Sequence, residues 1–369
     1  MAMVTGLEGI VAAETELSLV DGEKGHLVYR GYWAKDLALT KSFEEVAYLL
    51  WYGVLPNEEE LTLLSTRWKA AQNLPVYIQE LMDKLPPEMD MMSVIRTSIS
   101  AMGNQPDHWP PTKEAALDFT ALVPVIIAYR YRAQQGHSFI EPHLGLNHVA
   151  NYLYMLTGKI PQSAHVQALS AYFILAMEHG MNASTFAGRV ILSTQSDMAS
   201  ALCGSIGAMK GPLHGGAPSE VIHMLDEIGS KENAEGWLRE QLENGKRLMG
   251  FGHRIYKTRD PRAEALQLVT QQLSGEDPWF ELASYVEAEA IRLLELYKPG
   301  RKLYTNVEFF AAAVLRAVAL PPELFTSSFT AARIVGWTAH LLEQAECNRI
   351  FRPQSKYVGE MPKAEMNAL

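Results

Sequence analysis

The chain has 369 residues, of which 48% are apolar and 20% charged, a composition that suits a soluble globular protein with a large core and room for two domains. A formal net charge of -10 argues against a general nucleic-acid-binding role, which needs a basic footprint, but leaves room for a local basic pocket facing a small anion.

At the N-terminus, "MAMVTGLEGIVAAETELSLVDG" carries neither the basic flank nor the apolar run of a signal peptide. Next, "TELSLVDGEKGHLVYRG" places two apolar runs around a turn containing Asp and Gly, the pattern of a β-hairpin. From there helices dominate. "SFEEVAYLLWYG" opens with a Ser42–Glu45 capping box and stops at Gly53. Helical periodicity recurs in "NEEELTLLSTRWKAAQ", "DMMSVIRTSISAMG", "TKEAALDFTALVPVIIAYRYRAQQG" and "SAHVQALSAYFILAMEHG", with Pro124 expected to kink or divide the third of these. Further helices are expected at 183–194, 197–210, 217–229, 234–244, 261–273, 279–297, 306–319 and 327–346. No run of ~20 apolar residues could span a membrane. Cys203 and Cys347 lack metal-type spacing, so neither a zinc site nor a disulfide framework is expected, and a reducing cytoplasm is the expected compartment. Without repeated strand–helix alternation, the expected class is all-α.

Four segments place reactive groups at helix ends or in glycine-rich turns. In "AMEHGMNASTF", His179 ends one helix and Asn182 can cap the next; alone, such a His can simply satisfy helix-end carbonyls. In "MKGPLHGGAPSEVIHML", His214 precedes two glycines and a helix opening near Ala217, a setting that favours neutral imidazole able to polarise a carbonyl. His223, farther along, reads as packing or surface. In "MGFGHRIYKTRDPRAEAL", Gly250 and Gly252 resemble the start of a dinucleotide fingerprint, but the third glycine and the preceding strand are missing. The cluster of His253, Arg254, Lys257, Arg259 and Arg262 suits carboxylates or phosphates. In "RKLYTNVEFFAAAVLRAV", Asn306 can cap a helix with Glu308 in its first turn. The apolar neighbours Val307, Phe309 and Phe310 could lift that carboxylate into the range of a base.

Together with the opening "GLEGIVAAETELSLVDGEKGHLVYRGY" and the tail "FTAARIVGWTAHLLEQAECNRIFRPQSKYVG", these motifs resemble the citrate synthase family, in the family's order and over nearly the whole chain. The resemblance implies a two-domain helical fold with a short N-terminal hairpin: a large domain from 1–215 and 323–369, and a small mobile domain at 216–322 closing over a cleft. It implies a cytoplasmic homodimer that condenses acetyl-CoA with oxaloacetate and hydrolyses the thioester, without metal or redox cofactor. Carried over by motif, His214 would polarise the thioester carbonyl, Glu308 would remove a methyl proton, and His253 would donate to the ketone oxygen. His179, supported by Asn182, would bind oxaloacetate. Arg262, Arg333 and Arg352 would bind carboxylates, Arg352 from the partner subunit. Lys257 and Lys302 are placed near the CoA phosphates by position and charge.

The family's usual motif has aspartate where this chain has Glu308, and commonly Ser-Gly where it has Ala311-Ala312. Because a displacement of ~1 Å can cost ~10²-fold in rate, an active but attenuated enzyme is expected. The alternatives are a 2-methylcitrate synthase using propionyl-CoA, since one methylene carries only ~1–3 kcal/mol of discrimination, and a catalytically silent homologue that binds CoA or oxaloacetate.

Overall fold

The N-terminal hairpin forms from Ser18–Asp21 (β1) and His26–Tyr29 (β2), antiparallel, with Ser18 opposite Tyr29 and Asp21 opposite His26. Asp21 Oδ1 accepts the N–H groups of Glu23 and Lys24 and so closes the turn. A two-residue strand, Tyr32–Trp33 (β3), pairs with β2; it is too short for alternation to reveal. The computed structural model describes residues 5–7, 9–103, 109–215, 217–252, 256, 258–273, 278–301 and 303–360.

The rest of the described chain is helical, as expected. The first group comprises α1 (Ala34–Thr40), α2 (Phe43–Tyr52), α3 (Glu58–Ala71), α4 (Val76–Lys84), α5 (Met91–Met102) and α6 (Lys113–Gln134). Then come α7 (His148–Thr157), α8 (Ser163–Met177), α9 (Ala183–Leu192), α10 (Met198–Met209) and the single turn α11 (Pro212–Gly215). The last are α12 (Ala217–Ile228), α13 (Lys231–Glu243), α14 (Pro261–Leu273), α15 (Pro278–Tyr297), α16 (Val307–Ala317) and α17 (Phe325–Glu346). Helix α2 has the expected reciprocal capping box, and Gly53 ends it in the left-handed conformation. A second box, Asn57 with Glu60, opens α3.

Of the two outcomes expected at Pro124, division does not occur: helix α6 runs on through it. Proline removes one backbone donor, but here its neighbours Val123, Val125 and Ile126 are fully buried, and α6 packs against α17, α5, α7 and α3. Burial of 13 of the 22 residues of α6 outweighs the local cost of ~3 kcal/mol. Helix α17 is the centre of the core: it touches α2, α6, α8, α9 and α10, and carries the fully buried Trp337. Toward the C-terminal half, α12, α13, α15 and α16 pack on one another, while α14 bridges α16 to α8 and α1. Glycine at position 25, with φ of 68°, lets the hairpin tip approach Thr258 and Arg259, where a Cβ would lie 2.7 Å from the Thr258 methyl.

Candidate active site

Helix α8 ends at Met177 because Glu178 turns to an extended conformation, which leaves His179 just beyond the helix end. Glu178 is fully buried, and its Oε1 accepts from Ser18 Oγ (2.8 Å), from the Gly180 N–H and from His340 Nε2 (3.0 Å). Arginine only donates, so Arg189 Nη1 at 2.9 Å makes His340 Nδ1 an acceptor and leaves Nε2–H to face Glu178. Burial alone would push the Glu178 carboxyl up, but His340 and Arg333 more than offset it, and the group is held below its ordinary value. Gly336 makes room for this carboxylate, since a Cβ there would sit 2.6 Å from Glu178 Oε2. The turn bearing His179 is thus anchored on a buried anion.

Asn182 caps α9 as expected, its Oδ1 accepting the Thr185 N–H at 3.1 Å. Ser184, one turn in, connects two of the singled-out groups. Its Oγ lies 2.7 Å from Asn182 Oδ1 and 2.8 Å from His214 Nε2, and it accepts Trp337 Nε1–H at 3.1 Å. His214 lies in α11, between Lys210 at the end of α10 and Gly215. Burial and then the positive charge of Arg333 lower its pKa, so it is neutral near pH 7. The direction agrees with expectation, but burial and a neighbouring guanidinium are the causes.

The glycine loop and α16 are joined through backbone. Gly252 N–H donates to Tyr304 O (2.7 Å), Asn306 N–H to Gly250 O (2.9 Å), and Asn306 Nδ2 to Gly252 O (2.9 Å). Both glycines have positive φ, 84° and 80°, and a Cβ on Gly250 would lie 3.0 Å from Phe309 Cβ. Asn306 also caps α16 by accepting the Glu308 N–H at 3.0 Å, which sets Glu308 in the first turn. Gly250 and Gly252 are therefore fixed to the helix start that carries the carboxylate.

Two buried arginines face this carboxylate. Arg262 is held by Asp260, with Nε to Oδ1 at 3.0 Å and Nη2 to Oδ2 at 2.8 Å, and Asp260 Oδ2 also accepts the Val307 N–H of α16. Arg333 donates Nε–H to Ala176 O, and its guanidinium lies over the Phe329 ring. Among the described residues the terminal nitrogens of Arg333 have no hydrogen-bond partner, so its two-pronged face is open to a planar anion. Glu308 lies deep in protein yet keeps partial solvent contact. Burial raises its pKa, Arg262 pulls it down, Asp260 raises it again and Arg333 lowers it, with a net rise. The result is a carboxylate more basic than an exposed glutamate and within electrostatic reach of two arginines, one of which also acts on the neutral His214 imidazole.

His179, Asn182, His214, Arg262, Glu308 and Arg333 thus converge. Arg352 does not join them: it is exposed on the C-terminal segment, where it lines a separate groove of about 960 Å³ with Glu16, Arg189, Glu343 and Cys347. His253, Lys257 and Lys302 lie outside the described residues. Sequence reading did not single out Glu178, Ser184, Tyr256, Asp260 or His340. Each lies within a quoted motif, but each also has a partner from a remote part of the chain, His340 for Glu178, His214 for Ser184, His179 for Tyr256 and Val307 for Asp260, that spacing cannot reveal. Among the described residues no three His, Cys, Asp or Glu are grouped to hold a metal, and no helix is long and apolar enough to cross a membrane.

A family profile described as "Citrate synthase, C-terminal domain" matches residues 6–354. The chain belongs to the citrate synthase family. It is 38% identical over 368 residues to a citrate synthase of Haloferax volcanii, with 96% of this chain and 95% of that one covered. It is 40% identical over 361 residues to a 2-methylcitrate synthase of Mycobacterium tuberculosis, with 96% and 90% covered. Its structure is similar, with a TM-score of 0.88 at 31% identity over 98% of this chain and 97% of the other, to the citrate synthase of Thermoplasma acidophilum solved with carboxymethyl coenzyme A and oxaloacetate. Family membership accounts for the motif order and for the helical architecture together.

Proposed function

We propose that this citrate synthase family member joins the methyl carbon of acetyl-CoA to the ketone carbon of oxaloacetate, then hydrolyses the thioester to citrate and CoA. The observation that carries this reading is Glu308: a carboxylate with raised pKa, set by the Asn306 cap among Arg262, Arg333 and neutral His214. In the scheme, Glu308 takes a proton from the methyl group of the thioester. A neutral His214 donates a hydrogen bond to the thioester oxygen as it gains enolate character. Ser184, whose own hydroxyl proton goes to Asn182 Oδ1, supports this role by holding His214 Nε2 at 2.8 Å and so fixing the orientation of the ring. The enolate carbon attacks the ketone carbon and forms the new bond, and His253 protonates the ketone oxygen. Water then cleaves the thioester.

Oxaloacetate is a dianion, and the open guanidinium face of Arg333 with the Asp260-held Arg262 supports recognition of its carboxylates; His179 and Asn182 complete that half. Lys257 and Lys302 are assigned to the CoA phosphates. The scheme needs neither metal nor redox cofactor, and acetyl-CoA is a co-substrate. Closure of the segment 216–322 over the remaining chain would shield the enolate from water. The position of Arg352, exposed and in a groove that neither Arg262 nor Arg333 lines, supports a homodimer in which it serves the partner's site. Two free cysteines suit a reducing cytoplasm.

The similarity to a 2-methylcitrate synthase at 40% identity favours a second reading, in which propionyl-CoA is the better substrate. Thiol release from acetyl-CoA and from propionyl-CoA, each with oxaloacetate, tests both. The account predicts CoA release with the higher kcat/KM for acetyl-CoA. A higher value for propionyl-CoA establishes the second reading, and ligand binding without release from either thioester overturns both.

A further inference from the structure

Tyr256 is 3% exposed and touches two of the groups assigned to oxaloacetate. Its Oη lies 3.2 Å from His179 Nε2, with the two rings edge-on at 5.7 Å and 65°. On the same phenol, the Arg262 guanidinium lies over the ring, 5.6 Å from its centroid. His179 comes from the turn after α8 and Tyr256 from the loop beyond Gly252, so one side chain connects two chain segments at the site. Burial pushes the phenol well above its ordinary pKa, so it remains an uncharged hydroxyl through the physiological range and adds no anion beside the substrate.

We propose that Tyr256 is a positioning residue for oxaloacetate: its hydroxyl holds the His179 imidazole in a binding-ready orientation, and its ring seats the Arg262 guanidinium. The inference deepens the function proposed above and rests on it. His179 stands beyond a helix end, and its hydrogen bond with the Tyr256 hydroxyl restrains the ring before the substrate arrives, which lowers the entropic cost of binding. Arg262 is paired with Asp260 through Nε and Nη2, and the tyrosine face fixes the plane of its guanidinium.

The test compares wild type with Tyr256→Phe and Tyr256→Leu, using steady-state kinetics, calorimetric titration of oxaloacetate alone, and thermal unfolding. Tyr256→Phe removes only the hydroxyl. It should raise the oxaloacetate KM and Kd about 10-fold, the scale of one hydrogen bond, while the acetyl-CoA KM and the melting temperature stay put and kcat falls less than 3-fold. Tyr256→Leu, which also removes the ring from Arg262, should raise the oxaloacetate constants further. Unchanged or tighter oxaloacetate binding in Tyr256→Phe, with wild-type turnover intact, overturns the role of Tyr256 and leaves the condensation standing. A parallel rise in both substrate constants with a lower melting temperature marks a purely structural residue and also overturns it. A wild-type protein that neither binds nor consumes oxaloacetate overturns the functional reading and this inference together.

Discussion

Glu308 is costly to stability, and that cost is measurable. Its folded-state pKa is raised above the ordinary 4.5, so its protonated form favours the fold at low pH and the contribution is lost as pH rises through the folded pKa. Glu308→Gln carries no such loss. It should therefore melt at a higher temperature than wild type at pH 8, with the gap closing below pH 4.5, where the glutamate is protonated in both states; thermal unfolding across that range reads it out. Glu178 has the opposite sign: its depressed pKa gives stability that is present above 4.5 and lost as pH falls through the folded value, so Glu178→Gln should lower the melting temperature at neutral pH. Arg333 bears on binding instead. Lysine keeps the charge but not the planar fork, and Arg333→Lys should raise the oxaloacetate KM by roughly 10- to 100-fold, on the scale of a charge-assisted hydrogen bond, with a much smaller effect on the acetyl-CoA KM.

At the scale of elements, the short strap of hydrogen bonds between Gly250–Gly252 and Tyr304–Asn306 ties the glycine turn to the start of α16. Asn306 serves both sides, as helix cap and as strap. Asn306→Ala should cost about 1–2 kcal/mol in a denaturant titration and should also lower kcat, whereas a cap with no second role would lower stability alone. What sequence disclosed at this scale is what local chemistry encodes. The hairpin turn, the Ser42–Glu45 box, the Asn182 and Asn306 caps and the span 261–273 of α14 all follow from residues within a few positions of one another. Pro124 does not divide α6 because the burial of that helix is a tertiary term. The buried chain Glu178–His340–Arg189–Glu343 was hidden because each of its bonds joins residues more than 150 positions apart in sequence. The catalytic candidates were recognised by family motif; the groups that hold them needed coordinates.

For the whole molecule, the same buried chain ends at Glu343, which accepts Thr15 Oγ1–H and the Glu16 N–H. Ser18 is fastened to Glu178, so the N-terminal segment is held at two points by one network. The groove beside it carries Arg352, and the proposed homodimer gives that arginine its work in the neighbouring subunit. Complementation tests this directly. Arg352→Ala and Glu308→Gln should each be nearly inactive, yet unfolding and refolding the two variants together should restore activity, because a mixed dimer contains one site with both side chains intact. Recovery no greater than the sum of the separate variants would place Arg352 in its own subunit's site or outside catalysis.

The central claim, that Glu308 is the base of a carbon–carbon condensation, is most directly tested by the steady-state kinetics of wild type, Glu308→Asp and Glu308→Gln with acetyl-CoA and oxaloacetate. The account predicts measurable condensation by wild type, a fall in kcat of about 10³-fold or more for glutamine, on the upper scale of general-base catalysis, and activity retained or raised for aspartate. Near-wild-type turnover by Glu308→Gln would contradict it.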